Sequence, residues 1–247
     1  MIEVVLVISG AVAAKLAEIG LDAYRRRRAE RTTPTLARLE DVLRWGWDGK
    51  ALLRRLITLD RQVIGDALTD EREGTVEQWA PVFMAHPETW VLLTTGPKQI
   101  VGYWDIAALH DQQFQRAKSG ELLDSEITLD TVAPLDVPGT YNLYFVLLGV
   151  LPDCPGGGAK LIEAFFDQLE ALADRGIFFR EVCANAFTKD GKRICEGFGM
   201  TLLGPHKDFG TVYHLPLDPW PARLRHKRWH EVAEHYKHAF SNATANG

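Results

Sequence analysis

Cysteine is scarce in this chain of 247 residues. There are three, Cys154, Cys183 and Cys195, with no CxxC pair and no zinc-type spacing. An odd count without a secretory signal fits free thiols in a reducing cytoplasm. Positive charge is not in excess either. The net charge of −5 gives no argument for a nucleic-acid partner, and none is expected. No repeat or low-complexity tract stands out. No basic segment precedes the apolar N-terminus, which argues against a cleaved signal peptide. The four histidines near the C-terminus, His226, His230, His235 and His238, include a one-turn pair. No carboxylate or cysteine motif completes a metal site around them, so they read as part of a solvated basic face, and no metal is expected. With Arg223, Arg225, Lys227, Arg228 and Trp229, that face is also of the kind that touches anionic partners.

What is present is the composition of a soluble globular protein. Hydrophobic residues make up 46% and charged residues 25%. The length suits one large domain with extensions. We expect a helical N-terminal extension over residues 1–50, a core domain over 51–216, and a C-terminal helix and tail over 217–247. Residues 4–14 are apolar apart from Ser9 and Gly10, then Lys15, Glu18 and Asp22 interrupt, and Arg25 to Arg28 follow. The uncharged run is shorter than the roughly 20 residues of a spanning helix. It reads as a helix packed on the domain or on a second copy, which gives homodimerisation and weak membrane association as partner expectations. Cytoplasmic localisation is expected. The alternative is an anchor through residues 4–24, with the domain in the cytoplasm.

Along the chain, Thr35 reads as the cap of a helix carrying Leu36, Leu39, Val42 and Leu43. Residues 45–49 read as a turn and 52–59 as a first strand. Residues 60–68 and 75–83 read as helices, the second opened by a Thr75–Gln78 capping box. Residues 90–95 and 99–106 are strands joined by Gly96-Pro97-Lys98. Residues 109–137 are polar and poorly patterned, and read as a long active-site loop with some helix. Residues 141–151 form an apolar central strand. Leu161, Phe165, Leu169 and Leu172 mark a long helix. Residues 177–184 are a strand, residues 185–198 contain a short helix, and 200–203 with 211–215 form an antiparallel pair. A last helix covers 223–240.

Between the central strand and the long helix lie Gly156, Gly157 and Gly158. A strand, a glycine loop and a helix start make an anion site. The first helical N–H groups have no internal partner, and glycines let a phosphate approach them closely. Two nucleotide-binding classes do not fit. Ala159-Lys160-Leu161 offers no hydroxyl for magnesium, as a P-loop would. No repeated βαβ pattern precedes the glycines, as a dinucleotide fold requires.

Taken together, these elements resemble the GCN5-related N-acetyltransferase (GNAT) superfamily over roughly residues 51–216. Val150-Leu151-Pro152 is similar to the family's V-x-P step. Asp153-Cys154-Pro155-Gly156-Gly157-Gly158 is similar to its pyrophosphate loop, with Asp153 where the family has Gln or Arg. Asn185, then Ile194-Cys195-Glu196-Gly197-Phe198-Gly199-Met200, match later family features, with Cys195 in place of the usual tyrosine. The resemblance implies an α/β (α+β) fold: a mixed, mostly antiparallel sheet flanked by helices. It implies acetyl-CoA or another acyl-CoA as co-substrate and a small-molecule or protein amine as acceptor.

By the same resemblance, main-chain atoms of Leu148 and Val150 hold the pantetheine arm. Gly156, Gly157, Gly158, Ala159 and Lys160 meet the pyrophosphate, and Asn185 completes the coenzyme site. The acid expected from it is Cys195, with Tyr144 and Tyr141 as runners-up. The central strand carries no glutamate. Glu181, on the next strand, is therefore the expected base, ahead of Asp105 and Asp136, because a charge inside an apolar strand needs a reason. Its structural alternatives are pairing with Arg180 or Arg193, or an outward-facing position. Two functions follow: N-acyl transfer by direct attack on the thioester, or a weakly active or inactive member that senses coenzyme A. Asp153 and Cys195 motivate the second.

Overall fold

The computed structural model describes residues 33–65, 68–97, 99–218, 220, 224 and 226–245. The N-terminal helix and its anchor alternative lie outside the described residues. Among the described residues, no helix is long and apolar enough to cross a membrane.

The order is β1 (Thr35–Arg38), α1 (Leu39–Arg44), α2 (Gly49–Ile64), α3 (Asp70–Glu73) and α4 (Val76–Ala85), then β2 (Trp90–Thr94) and β3 (Ile100–Leu109). There follow α5 (Asp111–Lys118), β4 (Gly139–Val150), α6 (Gly157–Asp174), β5 (Ile177–Ala186) and α7 (Lys189–Phe198). Last come β6 (Thr201–Pro205), β7 (Thr211–Pro216) and α8 (Lys227–Ala245). The strands form one sheet in the order β1-β2-β3-β4-β5-β7-β6. Only β4 and β5 are parallel. That is the expected mixed, mostly antiparallel sheet flanked by helices. β1 and α1 belong to the stretch expected as an N-terminal extension, and β1 is the edge strand beside β2.

Two apolar clusters sit on the two faces. One joins α6 and α8 through Phe165, Phe166, Leu169, Trp229 and Val232. The other joins α2 and α4 through Leu52, Leu56, Leu59, Trp79 and Phe83. β2 and β3 are buried along their whole length because both faces are covered.

The structure corrects three expectations from sequence. Residues 52–59 are the middle of α2, not a strand. Leu52, Leu53, Leu56 and Leu59 are buried at helical spacing while Arg54 faces solvent. The Asp48 side chain opens this helix by accepting from Ala51 N–H at 2.9 Å. Residues 60–64 continue it, so no separate helix starts at Asp60. Thr35 does not cap a helix but begins β1, whose pairing with β2 outweighs local preference.

The Thr75 cap is present, accepting from Gln78 N–H at 3.3 Å. The Gln78 side chain turns instead to the Ile127 carbonyl at 3.3 Å. The 109–137 stretch contributes the end of β3, the helix α5 and a 3₁₀ turn over Asp124–Glu126.

Candidate functional site

Parallel pairing of β4 with β5 runs from Gly139↔Ile177 to Phe145↔Ala184. There the strands part. β4 continues to Val150 against β3 alone, and Asn185 and Ala186 pair only with β7. β4 also carries a bulge where they part. Asp105 opposes Leu147 and Ile106 opposes Phe145, leaving Val146 as the extra residue. The opening is a cleft of about 480 Å³. Its walls include Leu148, Val150, Gly158, Asn185 and Cys195.

Leu151 N–H is donated to Val101 O on β3 at 2.8 Å. Alternation along the strand turns the main-chain groups of Leu148 and Val150 the other way, toward the cleft. These polar groups on an open strand edge need a partner.

The glycine loop closes one end. Gly156 has φ +78°, a left-handed conformation that suits glycine, and it caps α6 without a side-chain bond. The first turn of α6 has no acidic residue. The N–H groups of Gly158 and Ala159 therefore lie at a helix start that no side chain fills. A Cβ on Gly157 would come within 2.7 Å of Leu93 and 2.9 Å of Val150, so Gly157 is a packing glycine. A Cβ on Gly158 would meet nothing within 4 Å, and Gly158 faces the cleft. Lys160 turns its side chain to the Pro34 carbonyl at 2.7 Å.

Cys195 lines the cleft, and burial pushes its thiol up to about 12. The Asn185 amide donates to the Phe209 carbonyl at 3.0 Å. Glu181 and Tyr144 are not on the cleft wall. Glu181 accepts from Lys118 Nζ and pairs with His214 Nε2, each at 2.7 Å. Burial raises its pKa, but these two partners bring it net below the ordinary value. Arg180 instead binds Asp111 and Asn142, and Arg193 binds Asp190.

Tyr144 is buried and donates to Asp124 Oδ1 at 3.0 Å. Burial raises Asp124 to about 7, with a contribution from the Glu73 charge, against the lowering Tyr144 bond. Asp124 borders a second cavity on the far side of the sheet, with Asp60, Glu73, Tyr103 and Asp105. Val146, Leu147 and Phe187 border both cavities, so the two meet at the bulge. Sequence reasoning passed over Asp60, Glu73 and Asp124. Their one signal was Asp105, a charge inside an otherwise apolar strand.

Among the described residues, no group of three or more His, Cys, Asp or Glu is placed to hold a metal. His226 stacks on Phe166, with centroids 5.0 Å apart and planes 7° apart.

No protein-family model matches the sequence, and no curated protein does. Solved structures show a distant likeness. The loading GNATL domain of CurA from Lyngbya majuscula has TM-score 0.46 and 14% identity, covering 75% of this chain and 98% of its own. PH1933 from Pyrococcus horikoshii OT3 has TM-score 0.45 and 13% identity over 74% and 98%. An acetyltransferase from Thermus thermophilus has TM-score 0.40 and 19% identity over 74% and 97%.

Proposed function

We propose that this protein is an acyl-CoA-dependent N-acyltransferase whose acyl donor lies in the cleft between β4 and β5. The observation that carries the reading is the meeting of three features in that cleft. They are the outward main-chain groups of Leu148 and Val150, the unfilled helix start at Gly158, and the apolar wall through Phe165, Ile194 and Phe198. An arm with amide groups and a terminal diphosphate satisfies all three. Gly158 also leaves the space that a Cβ would take. When bound, acyl-CoA supplies a thioester carbonyl, at which the acceptor amine forms a C–N bond as the C–S bond breaks.

The chain's own residues do the rest. Main-chain donors of β4 near the bulge are placed to polarise a carbonyl there. Asp124, raised to about 7, takes the amine proton, because a base matched to the working pH is effective. Tyr144 orients Asp124 through its hydrogen bond. We prefer Asp124 to Glu181, because Lys118 and His214 occupy Glu181 away from the cleft. Cys195 is assigned as cleft wall. A thiol raised to about 12 gives up its proton less readily than an ordinary one.

Thiol release from acetyl-CoA, followed across a panel of amines, tests the reading. The expected result is amine-dependent release. Release that no amine stimulates would leave a coenzyme-binding module in its place. Gly158→Leu should raise the KM for acetyl-CoA by more than about tenfold, since one lost charge-assisted phosphate contact is worth about that. Its melting temperature should stay close to wild type, because the new side chain meets open space. Cys195→Ala should keep turnover within about threefold of wild type. A loss of about a hundredfold or more, the size of a missing acid, would restore Cys195 to the chemistry.

A further inference from the structure

The second cavity has a composition that the acyltransferase reading does not itself require. Asp60 on α2, Glu73 on α3, Asp105 on β3 and Asp124 in the 3₁₀ turn all border it. Asp60 is 4% exposed, Glu73 7% and Asp105 3%. No lysine, arginine or histidine borders it. Placing several carboxylates in a low-dielectric space is costly unless they hold protons or bind a cation.

The partners account for only part of this acidity. Asp60 Oδ2 accepts from Tyr103 OH at 2.5 Å. Glu73 Oε2 accepts from Arg61 Nε at 3.2 Å, and Arg61 also binds Asp70. Asp60 Oδ1 and Glu73 Oε1 are buried and meet no donor from a cationic, hydroxyl or main-chain group. Burial raises both carboxyls, and each acts on the other at hydrogen-bonding range. Burial likewise raises Asp105 and Asp124. Burial favours the protonated form of these carboxyls, and a cation bound among them would compete with those protons.

We propose that this cavity receives a primary ammonium group carried on an unbranched alkyl chain, and that this ammonium is the acceptor nitrogen of the transfer. Size limits the occupant. The cavity is about 30 Å³, room for one small group such as –NH₃⁺ and not for a branched or quaternary ammonium. Charge limits it further. A carboxylate next to the nitrogen, as in an α-amino acid, meets four acidic side chains. The methylenes that follow the nitrogen would run past Val146, Leu147 and Phe187, the apolar residues that the cavity shares with the cleft. Position assigns the role, because the cavity meets the acyl cleft at Val146 and Leu147 and carries Asp124 on its wall. There the ammonium gives one proton to Asp124, and the freed lone pair faces the bulge.

The identification as acceptor site rests on the acyltransferase reading, but the binding itself does not, so the two are measured apart. n-Butylamine at pH 7 is titrated calorimetrically into the full chain, in two buffers of different ionisation enthalpy. Tetramethylammonium and glutamate serve as comparison ligands, and acetyl-CoA is titrated in parallel. Saturable n-butylammonium binding with net proton release is the expected result. Asp60→Asn and Glu73→Gln should each weaken it about 10- to 100-fold and leave acetyl-CoA binding unchanged. Glu73→Gln keeps the test open if Asp60→Asn fails to fold. Absence of n-butylammonium binding in a chain that binds acetyl-CoA overturns this inference and spares the coenzyme reading. Equal binding of tetramethylammonium or glutamate overturns it as well. Ammonium binding without acetyl-CoA binding supports the cavity and removes its role as acceptor site.

Discussion

Replacing Asp124 by Asn is expected to lower kcat for amine acetylation by about 10²- to 10⁴-fold, the range of a lost general base. The KM for acetyl-CoA should change little, because Asp124 borders the acidic cavity and not the cleft proposed for the coenzyme. Wild-type kcat/KM should rise with pH through about 7, where Asp124 loses its proton. In Tyr144→Phe that limb should move to higher pH. The bond from Tyr144 is the influence that holds the Asp124 pKa down against burial.

Stability should show the same group with a definite sign. The folded-state pKa of Asp124 is raised from 3.8 to about 7, so the folded chain binds more protons in that window. Its contribution is therefore present at acid pH and is lost as pH rises through 7. Melting temperature should fall from about pH 4 to 7 and level off above, less so in Asp124→Asn. If the Asn variant retains more than about a tenth of the activity, the assignment of Asp124 as base is wrong.

Trp229→Ala should be the most destabilising single change among these. Trp229 is fully buried where α8 crosses α6. Its ring meets Phe166 at 4.9 Å, Phe198 at 5.9 Å, and Phe165 and Trp220 at 6.1 Å. Truncating such a side chain costs about 3–5 kcal/mol, through lost burial and the cavity left behind. For a chain of this size that lowers the melting temperature by about 6–20 °C.

Neighbouring Arg228 sharpens the meaning of this test. It bridges α8 to Glu163, Asp167 and Glu170 of α6 at 2.7, 2.8 and 3.3 Å. Surface pairs of this kind contribute little each, so the apolar contact carries the docking. Phe165 and Phe198, which touch Trp229, also wall the cleft. Acetyl-CoA affinity should therefore drop in the same variant. A melting temperature within about 2 °C of wild type would mean that α8 is not docked in solution.

The elements that wall the cleft beside β4 were legible in the sequence because their signals lie close together. A long apolar run, three glycines and Leu161, Phe165, Leu169 and Leu172 at helical spacing follow one another closely, with only Pro152 to Pro155 between the run and the glycines. The C-terminal strands and α7 followed from similar local patterns. α2 was misread because a short window containing Arg54 and Arg55 hides the stripe of Leu52, Leu56 and Leu59, which emerges only over its full 16 residues.

The acidic cavity was not legible, for a different reason. Asp60, Glu73, Asp105 and Asp124 come from four separate elements, and all but Asp105 look like ordinary surface charges in their own stretches. Only the packing of α2 and the 3₁₀ turn against β3 and β4 brings them together. Asp105 alone stood out, because nine of the ten residues of β3 are uncharged and all ten are buried. Glu181 drew attention by the same rule, and its partners Lys118 and His214 arrive from α5 and β7.

The most direct test of the central claim is a titration of coenzyme A into the full chain, read by calorimetry and by melting temperature. Saturable binding at one site is predicted, with a melting temperature that climbs with ligand concentration as mass action requires. Both responses should be weakened in Gly158→Leu. A well-folded wild-type chain that shows no heat and no thermal shift at millimolar coenzyme A would contradict the account.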